Sequence, residues 1–232
     1  VRWISQASID VAFDEEALSL MKRSGCQGVL VGFESLDAAT LKKMRKGFNA
    51  TRGGPPAALA NFQRHGIRVY GTFVFGYDHD TAETFENTLE FAQDQGLFIS
   101  AFNHITPFPG TPLYDRLKKE GRLRMDPWWL DDRYLYGDVP FVPARMAPEE
   151  LARLCIDARK KFYGWKSIGR RFRHPTNLQD PLMAFYFVLI NAMHQVDVKG
   201  RHGLPLGDAG VTGPLLKATT QTRSPLIRLS AS

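Results

Sequence analysis

The 232-residue chain is 44% hydrophobic and 23% charged, a composition typical of a globular domain with a buried core. No apolar run reaches the roughly 20 residues that a membrane span needs, and the longest candidate, 182–193, is expected to be a buried helix. The two cysteines, Cys26 and Cys155, stand far apart in the sequence, which excludes a disulfide framework and a cysteine-rich metal motif. Both are expected to be small buried apolar groups, and a cytoplasmic location is favoured.

The net charge of +6 is concentrated in the C-terminal third. Residues 1–150 hold 17 Lys and Arg against 20 Asp and Glu, whereas residues 151–232 hold 13 against 4. Such a patch can bind nucleic acid or anionic lipid, or it can be a solvated helix face with a basic tail. We favour the solvated face, because no nucleic-acid-binding motif accompanies the charge. Many of the basic residues lie close together: Arg159, Lys160, Lys161, Lys166, Arg170, Arg171 and Arg173.

Up to residue 120 the pattern alternates between strand and helix. In chain order it predicts a strand at 3–8, a helix at 15–24, a strand at 28–33, a helix at 38–44, a loop at 46–49, a helix at 55–65, a strand at 68–75, a helix at 82–95, a strand at 97–106 and a helix at 112–120. Repeats of strand and helix at about 30–40 residues indicate right-handed βαβ crossovers and one parallel sheet.

The remaining third has a different character. Residues 125–143 are rich in Trp, Tyr, Asp and Pro and are expected to form an ordered irregular wrap. An amphipathic helix is predicted at 148–167 and a more apolar helix at 180–195. Three units are therefore predicted: an α/β unit at 1–124, a wrap with helices at 125–198, and a disordered tail at 199–232. Because Val1 is not a methionine and leads directly into a strand, we interpret it as a cut edge of a longer chain.

Polar residues follow each predicted strand at the edge where parallel α/β folds place their chemistry. Gln6 and Ser8 share one face of the first strand, and His104 and Thr106 share one face of the fourth. The second strand ends in Glu34-Ser35, and the third reaches Gly76-Tyr77-Asp78. We therefore expect Gln6, Glu34, Gly76 and Thr106 to meet at one rim.

Each of these residues also has a purely structural interpretation. The Glu34 carboxylate could bind a ribose, a helix N-terminus or a nearby arginine. Ser35 could cap the following helix, and Gly76 could either approach a flat ligand or start a turn. His104 is more often a buried core histidine than a catalytic one. The pair Gln6 and Ser8 could bind substrate or neighbouring backbone.

Five blocks in order, WISQASID, GCQGVLVGFESLD, KGFN, VYGTFVFGYDHDTAETF and ITPFPGTPLYDRL, resemble radical S-adenosylmethionine enzymes of the cobalamin-associated branch. Three later segments, WWLDD, YLYGDVPFVPARM and KFYGWKSIGRR, resemble the extension that follows many of these barrels. The resemblance implies a partial parallel (β/α) barrel of the TIM type, of which this chain holds the last four of six strands, with a helical C-terminal extension.

The resemblance also implies roles for individual residues. Glu34 and Ser35 correspond to the positions that contact the ribose of S-adenosylmethionine. Phe75 and Gly76 correspond to the segment beside the adenine, and Thr106 and Pro107 to the strand that completes the adenine pocket. Candidates to face the substrate are Gln6, Ser8 and His104. In the family, a CxxxCxxC loop holds a [4Fe–4S] cluster, and cobalamin is bound by a preceding domain.

The chain departs from the family pattern because it has no CxxxCxxC loop. The resemblance therefore implies a fragment that is inactive alone and acts on a small-molecule substrate with a missing N-terminal half, present in a longer parent or a separate chain. The alternative is a non-catalytic scaffold that meets an acidic partner through its basic C-terminal half. Nucleic acid is not the favoured partner, and no membrane span is expected.

Overall fold

The computed structural model describes residues 1–44, 46–131 and 133–204. Its centre is one sheet of four parallel strands in the order β1-β2-β3-β4. The strands are β1 (Trp3–Ala7), β2 (Cys26–Glu34), β3 (Arg68–Phe75) and β4 (Ile99–His104). The predicted α/β class, and the prediction of four parallel strands lying side by side in chain order, are thus confirmed.

Helices connect and cover these strands. The α-helices are α1 (Glu15–Arg23), α2 (Ala38–Lys43), α3 (Gly54–Arg64), α4 (Ala82–Asp94), α5 (Pro112–Lys119), α6 (Pro148–Phe162), α7 (Trp165–Phe172), α8 (Pro175–Leu178) and α9 (Pro181–Gly200). Short 3-10 turns occupy Ile9–Phe13, Gly47–Ala50 and Trp128–Leu130. In the described part of the chain, no helix is both long enough and apolar enough to cross a membrane.

One face of the sheet packs against the helices because alternate strand residues are apolar and point to the same side. Phe33, Phe73 and Phe102, one from each of three neighbouring strands, form a stacked row with ring centres 5.8 and 5.9 Å apart. Phe91 of α4 and Phe162 of α6 close over this row. This buried aromatic layer fixes the register of the strands and so the level at which each strand ends.

The outer edge of β4 is covered by side chains of the C-terminal helices. The Tyr163 hydroxyl donates to the Ser100 carbonyl at 2.8 Å, and Arg159 Nε donates to the Phe102 carbonyl at 2.9 Å. Asn191 Nδ2 donates to the Phe98 carbonyl at 3.1 Å. The carbonyl just before β4 and two alternate carbonyls within it are therefore paired without a further strand.

A buried arginine joins the sheet to the C-terminal helices. Arg171 is fully buried, its guanidinium carbon lies 3.7 Å from the centre of the Phe162 ring, and burial lowers its pKa to about 9. It donates to five acceptors, the carbonyls of Leu97, Phe98 and Phe162 and the side chains of Ser167 and Asn191. The interpretation of Arg171 as part of a solvated basic face is therefore wrong, because its charge is used inside the molecule.

Three predicted boundaries also need correction. The helix predicted at 148–167 is two helices, because Gly164 adopts extended backbone between α6 and α7. The helix predicted at 180–195 begins at Pro181, with Asp180 as its cap, and continues to Gly200. Residues 199–204 of the predicted disordered tail are ordered, since α9 continues to Gly200 and the backbone of 203 and 204 pairs with Tyr136. Residues 205–232 of that tail lie outside the described residues.

Candidate functional site

A cleft of about 680 Å³ lies at the C-terminal ends of the strands. Its walls come from the residues that follow β2 and β3, from the first residue after β4 and from the start of α5. The lining residues are Glu34, Thr40, Lys43, Met44, Lys46, Tyr77, Asp78, His79, Ile105, Pro112, Leu113 and Arg116. Of the polar residues expected at this edge, Glu34, Tyr77 and Asp78 line the cleft, and its volume is one that can hold a small molecule.

Glu34 occupies an unusual position in this cleft. It follows a bulge in the pairing of β2 with β3, and its backbone is left-handed, with φ 67°. The side chain folds back over Gly32, where a Cβ would lie 2.8 Å from Glu34 Oε1. Its carboxylate pairs with the Lys46 ammonium and is 15% exposed. A carboxylate is therefore held at the mouth of the cleft by strained backbone, a feature that accumulates at functional sites.

The segment after α2 supports Glu34. Asn49 is 1% exposed, and its Nδ2 donates to the carbonyls of Gly32 and Phe33, each at 3.1 Å. Its backbone N–H donates to the Lys46 carbonyl at 2.9 Å. Sequence reasoning recognised the KGFN block but gave neither Lys46 nor Asn49 a role. The signal available in the sequence was a pair of polar residues in a predicted loop. Their role becomes specific only when the fold brings this loop to the end of β2.

The loop after β3 forms a second wall. Gly76 has φ 100°, and its N–H and that of Tyr77 donate to Asp80 Oδ2 at 2.8 and 2.9 Å. Asp80 is 3% exposed, and burial raises the pKa of its carboxyl despite these two donors. Burial also raises the pKa of the Tyr77 hydroxyl, with the charges of Glu34 and Asp80 adding to the effect. Tyr77 is therefore a neutral hydroxyl beside Glu34.

Both signs of charge line the cleft. Burial of Asp78 acts to raise the pKa of its carboxyl, but hydrogen bonds and charge from Arg116 and Arg122 outweigh it and hold the pKa low. Arg116 Nη1 lies 2.6 Å from Asp78 Oδ2. Lys43 contacts the His79 ring across the cleft. Because Asp78 is paired with Arg116 and Glu34 with Lys46, a zwitterion that also carries hydroxyl groups would bind here by exchanging partners with these ion pairs.

The other candidate cofactor residues do not line the cleft. Ser35 is buried, and its Oγ accepts from the Asp37 N–H at 3.1 Å. The Phe75 ring stacks on Phe85 at 4.0 Å in the core, so only its backbone faces the rim. A Cβ on Gly76 would lie 2.8 Å from Leu151 of α6. Of the candidate residues, Glu34 alone lines the cleft.

Thr106 and Pro107 lie just after β4. Thr106 is half-buried and Pro107 is buried, and the Pro107 carbonyl accepts from the Trp128 indole at 3.0 Å. Their neighbour Ile105 lines the cleft, and its N–H donates to the Phe75 carbonyl at 2.7 Å. This bond ties the end of β4 to the end of β3. Their roles beside the adenine stay a prediction.

None of the three residues expected to face a substrate lines the rim cleft. His104 is half-buried, its Nδ1 lies 3.1 Å from the Ile105 carbonyl, and burial lowers its pKa, so the ring is neutral at pH 7. Gln6 is exposed and lies opposite Leu30, four residues before Glu34. Ser8 is exposed beyond the end of β1, which stops at Ala7. The structure does not bring Gln6 or Ser8 to the lining of the rim cleft.

Comparison with known proteins matches both the barrel and the extension. A family model described as a domain of unknown function (DUF4070) matches residues 111–186. Bacteriochlorophyllide d C-12(1)-methyltransferase of Chlorobaculum tepidum is 33% identical over 75% of this chain and 37% of its own. Anaerobic magnesium-protoporphyrin IX monomethyl ester cyclase of Cereibacter sphaeroides is 26% identical over 94% of this chain and 34% of its own. With the five motif blocks, these similarities decide the family.

The chain belongs to the radical S-adenosylmethionine superfamily. A solved structure similar to it is that of the radical S-adenosylmethionine methyltransferase TsrM from Kitasatospora setae, with cobalamin and a [4Fe–4S] cluster bound. The TM-score is 0.45 at 17% identity, over 86% of this chain and 44% of that one. The chain spans little more than a third of the length of the curated relatives named above.

The residues of this radical S-adenosylmethionine protein do not fit an iron–sulfur cluster. Such clusters are held by three or four cysteine thiolates, and the chain has two cysteines. Both are buried, and burial raises the pKa of Cys26 and raises that of Cys155 to about 12. Within the described ranges, no group of three His, Cys, Asp or Glu residues is arranged to hold a metal ion.

Proposed function

We propose that this chain forms the S-adenosylmethionine-binding rim of a radical S-adenosylmethionine enzyme of the cobalamin-associated branch. The observation that carries the proposal is the half-buried Glu34 carboxylate, held by left-handed backbone at the mouth of a 680 Å³ cleft at the strands' C-terminal ends. A ribose offers two adjacent hydroxyl donors, which a carboxylate accepts in charge-assisted hydrogen bonds.

The rest of the cleft suits the same ligand. The methionine end of S-adenosylmethionine carries an ammonium and a carboxylate, and the cleft offers Lys43 together with the ion pair of Asp78 and Arg116. Ile105 and Leu113 add apolar surface that a flat adenine can cover. The fold places these groups at the C-terminal ends of parallel strands, where α/β folds bind their ligands.

The chemistry requires parts that this chain does not supply. When bound, a [4Fe–4S] cluster would cleave S-adenosylmethionine reductively, and its thiolate ligands would come from a longer parent or a partner chain. We propose methyl transfer to a small molecule as the reaction class, since the chain is 33% identical to a methyltransferase over three quarters of its length. The scaffold alternative is less favoured, because Arg171 is buried and Arg159 is bonded to β4.

Substitution of Glu34 by glutamine tests the ribose contact. Glutamine keeps the Cβ in the left-handed backbone and nearly the same volume over Gly32, but it loses the charge. We expect S-adenosylmethionine to bind the variant about ten- to a hundredfold more weakly in equilibrium dialysis, the effect of losing a charge-assisted acceptor. The control is Glu86→Gln, an exposed position on α4, for which the affinity should not change.

The structural alternative predicts a different result. If Glu34 serves only to pair with Lys46, the Glu34→Gln variant melts at a lower temperature and binds S-adenosylmethionine as the unmodified chain does. Unchanged affinity with reduced stability would refute the ribose contact.

Anaerobic reconstitution tests whether the cluster comes from elsewhere. Treated with iron and sulfide under reducing conditions, the 232-residue chain is expected to retain no stoichiometric [4Fe–4S] cluster, because two buried cysteines cannot supply three thiolates. Iron, sulfide and the visible absorption spectrum are measured after desalting. Iron and sulfide near four each per chain would contradict the expectation.

A further inference from the structure

A second cavity lies at the opposite end of the sheet from the rim cleft. It has a volume of about 390 Å³. One wall is the face of the strands that α3 and α4 do not cover, and the other wall is α9. Its lining is largely apolar and includes Ile4, Leu30, Phe98, Ile99, Met183 and Ile190. A volume of this size suits a small ligand with an apolar body.

One charged side chain, Arg68, stands in the wall of this cavity. Arg68 begins β3 and is 3% exposed. Its Nη1 donates weakly to the Gln27 carbonyl at 3.4 Å, whereas the buried Nε and Nη2 have no hydrogen-bond partner. These two nitrogens share one edge of the guanidinium, which is the fork that binds both oxygens of a carboxylate.

The neighbouring charges do not neutralise Arg68. Burial lowers its pKa, and the charge of Asp180 only partly opposes this effect, while that of Arg2 adds to it. Asp180 is already engaged, since it pairs with Arg2 at 2.9 Å and accepts from the Leu182 N–H at 2.9 Å as the cap of α9. Burying a cation with two unpaired donors costs free energy unless an anion pairs with it and accepts from those donors.

We propose that this cavity is a binding site for a monocarboxylate with an apolar body, whose carboxylate is held by the Nε and Nη2 edge of Arg68. The apolar part of the ligand lies against Leu30, Ile99 and Ile190. The site is separate from the rim cleft, which shares none of its lining residues. It does not rest on the proposed function, and loss of S-adenosylmethionine binding would leave it intact.

The test uses octanoate as the probe on the 232-residue chain, with isothermal titration calorimetry as the measurement. Octanoate is expected to bind with one site per chain, and 1-octanol, which has the same tail without the charge, at least tenfold more weakly. Arg68→Met should weaken octanoate binding about ten- to a hundredfold, the usual effect of losing a bidentate charge-assisted pair. The control is Arg153→Met, on the exposed face of α6, which should not alter binding.

Two further measurements keep the outcome decisive. Arg68→Lys retains a cation but not the guanidinium fork, so it should bind octanoate about tenfold more weakly. Because this variant should preserve the fold, it also tests the site if Arg68→Met does not fold. Phosphate, an anion without an apolar body, should not compete with octanoate. Equal binding of octanol and octanoate, full binding by Arg68→Lys, or no binding by the unmodified chain would overturn the proposal.

Discussion

Substitution of Arg171 by methionine is expected to lower the free energy of unfolding by about 3–5 kcal/mol, because several buried acceptors lose their donor together. Methionine fills much of the arginine volume but donates no hydrogen bond. The carbonyls of Leu97 and Phe162 and the side chain of Asn191 would lose their partner in a region that water does not reach. Each buried acceptor left unpaired costs about 1–3 kcal/mol.

Urea unfolding of the chain, followed by tryptophan fluorescence and by circular dichroism, measures this loss. The matched control is Arg170→Met, one residue earlier on α7, which should change stability by less than about 1 kcal/mol because Arg170 forms an exposed ion pair with Asp94. Arg171→Lys should lie between the two, since a single ammonium cannot reach all five acceptors. A loss below about 1 kcal/mol for Arg171→Met would show that this arginine does not anchor the C-terminal helices.

Asn49→Asp is expected to destabilise the chain by about 3 kcal/mol, because a buried carboxylate would face two carbonyl oxygens in place of an amide donor. The two carbonyls belong to Gly32 and Phe33, at the bulge that precedes Glu34. Asn49→Ala should cost less, about 1–3 kcal/mol, since it removes the donor without adding a charge. A stability that rises from Asn49→Asp through Asn49→Ala to the unmodified chain would indicate that the Asn49 amide donates to the strand carbonyls.

Binding to the rim cleft should respond to the same substitutions. Loss of the Asn49 contacts frees the segment that positions Lys46 and therefore the ion pair with Glu34. The affinity for S-adenosylmethionine that we propose for this cleft should then fall along with stability. The exposed Asn87→Asp on α4 serves as the control and should affect neither quantity. Equal stability of Asn49→Asp and Asn49→Ala would mean that the amide does not donate to these carbonyls.

The sheet could be predicted from sequence because its signal is local. The apolar run Gly28–Phe33 and the capped helix at 82–95 each carry their own pattern, and their alternation determines a parallel order. The ends of helices were harder to predict from the sequence. The apolar pattern was extended across Gly164, although glycine commonly ends a helix, and the break between α6 and α7 was therefore missed.

Contacts between distant segments could not be predicted in this way. Any short stretch of sequence around Arg171 predicts an exposed side chain. Its burial becomes evident only from its hydrogen bond to Leu97, 74 residues earlier. Lys46 and Asn49 sit in a stretch that predicts only a loop, and their partners lie at the end of β2. The sequence could indicate that Glu34 needed a partner, but which partner depended on the fold.

The covered edge of β4 has a consequence for how molecules of this chain can meet. Within the part of the chain that the structure describes, side chains of the C-terminal helices bond the carbonyls of Phe98, Ser100 and Phe102 on that side, whereas the outer edge of β1 pairs with no further strand. Growth of a fibril by strand addition requires two unpaired strand edges on every unit, and the described part of this sheet has one. Two copies that pair through β1 consume both open edges, so such self-association stops at a closed pair instead of propagating.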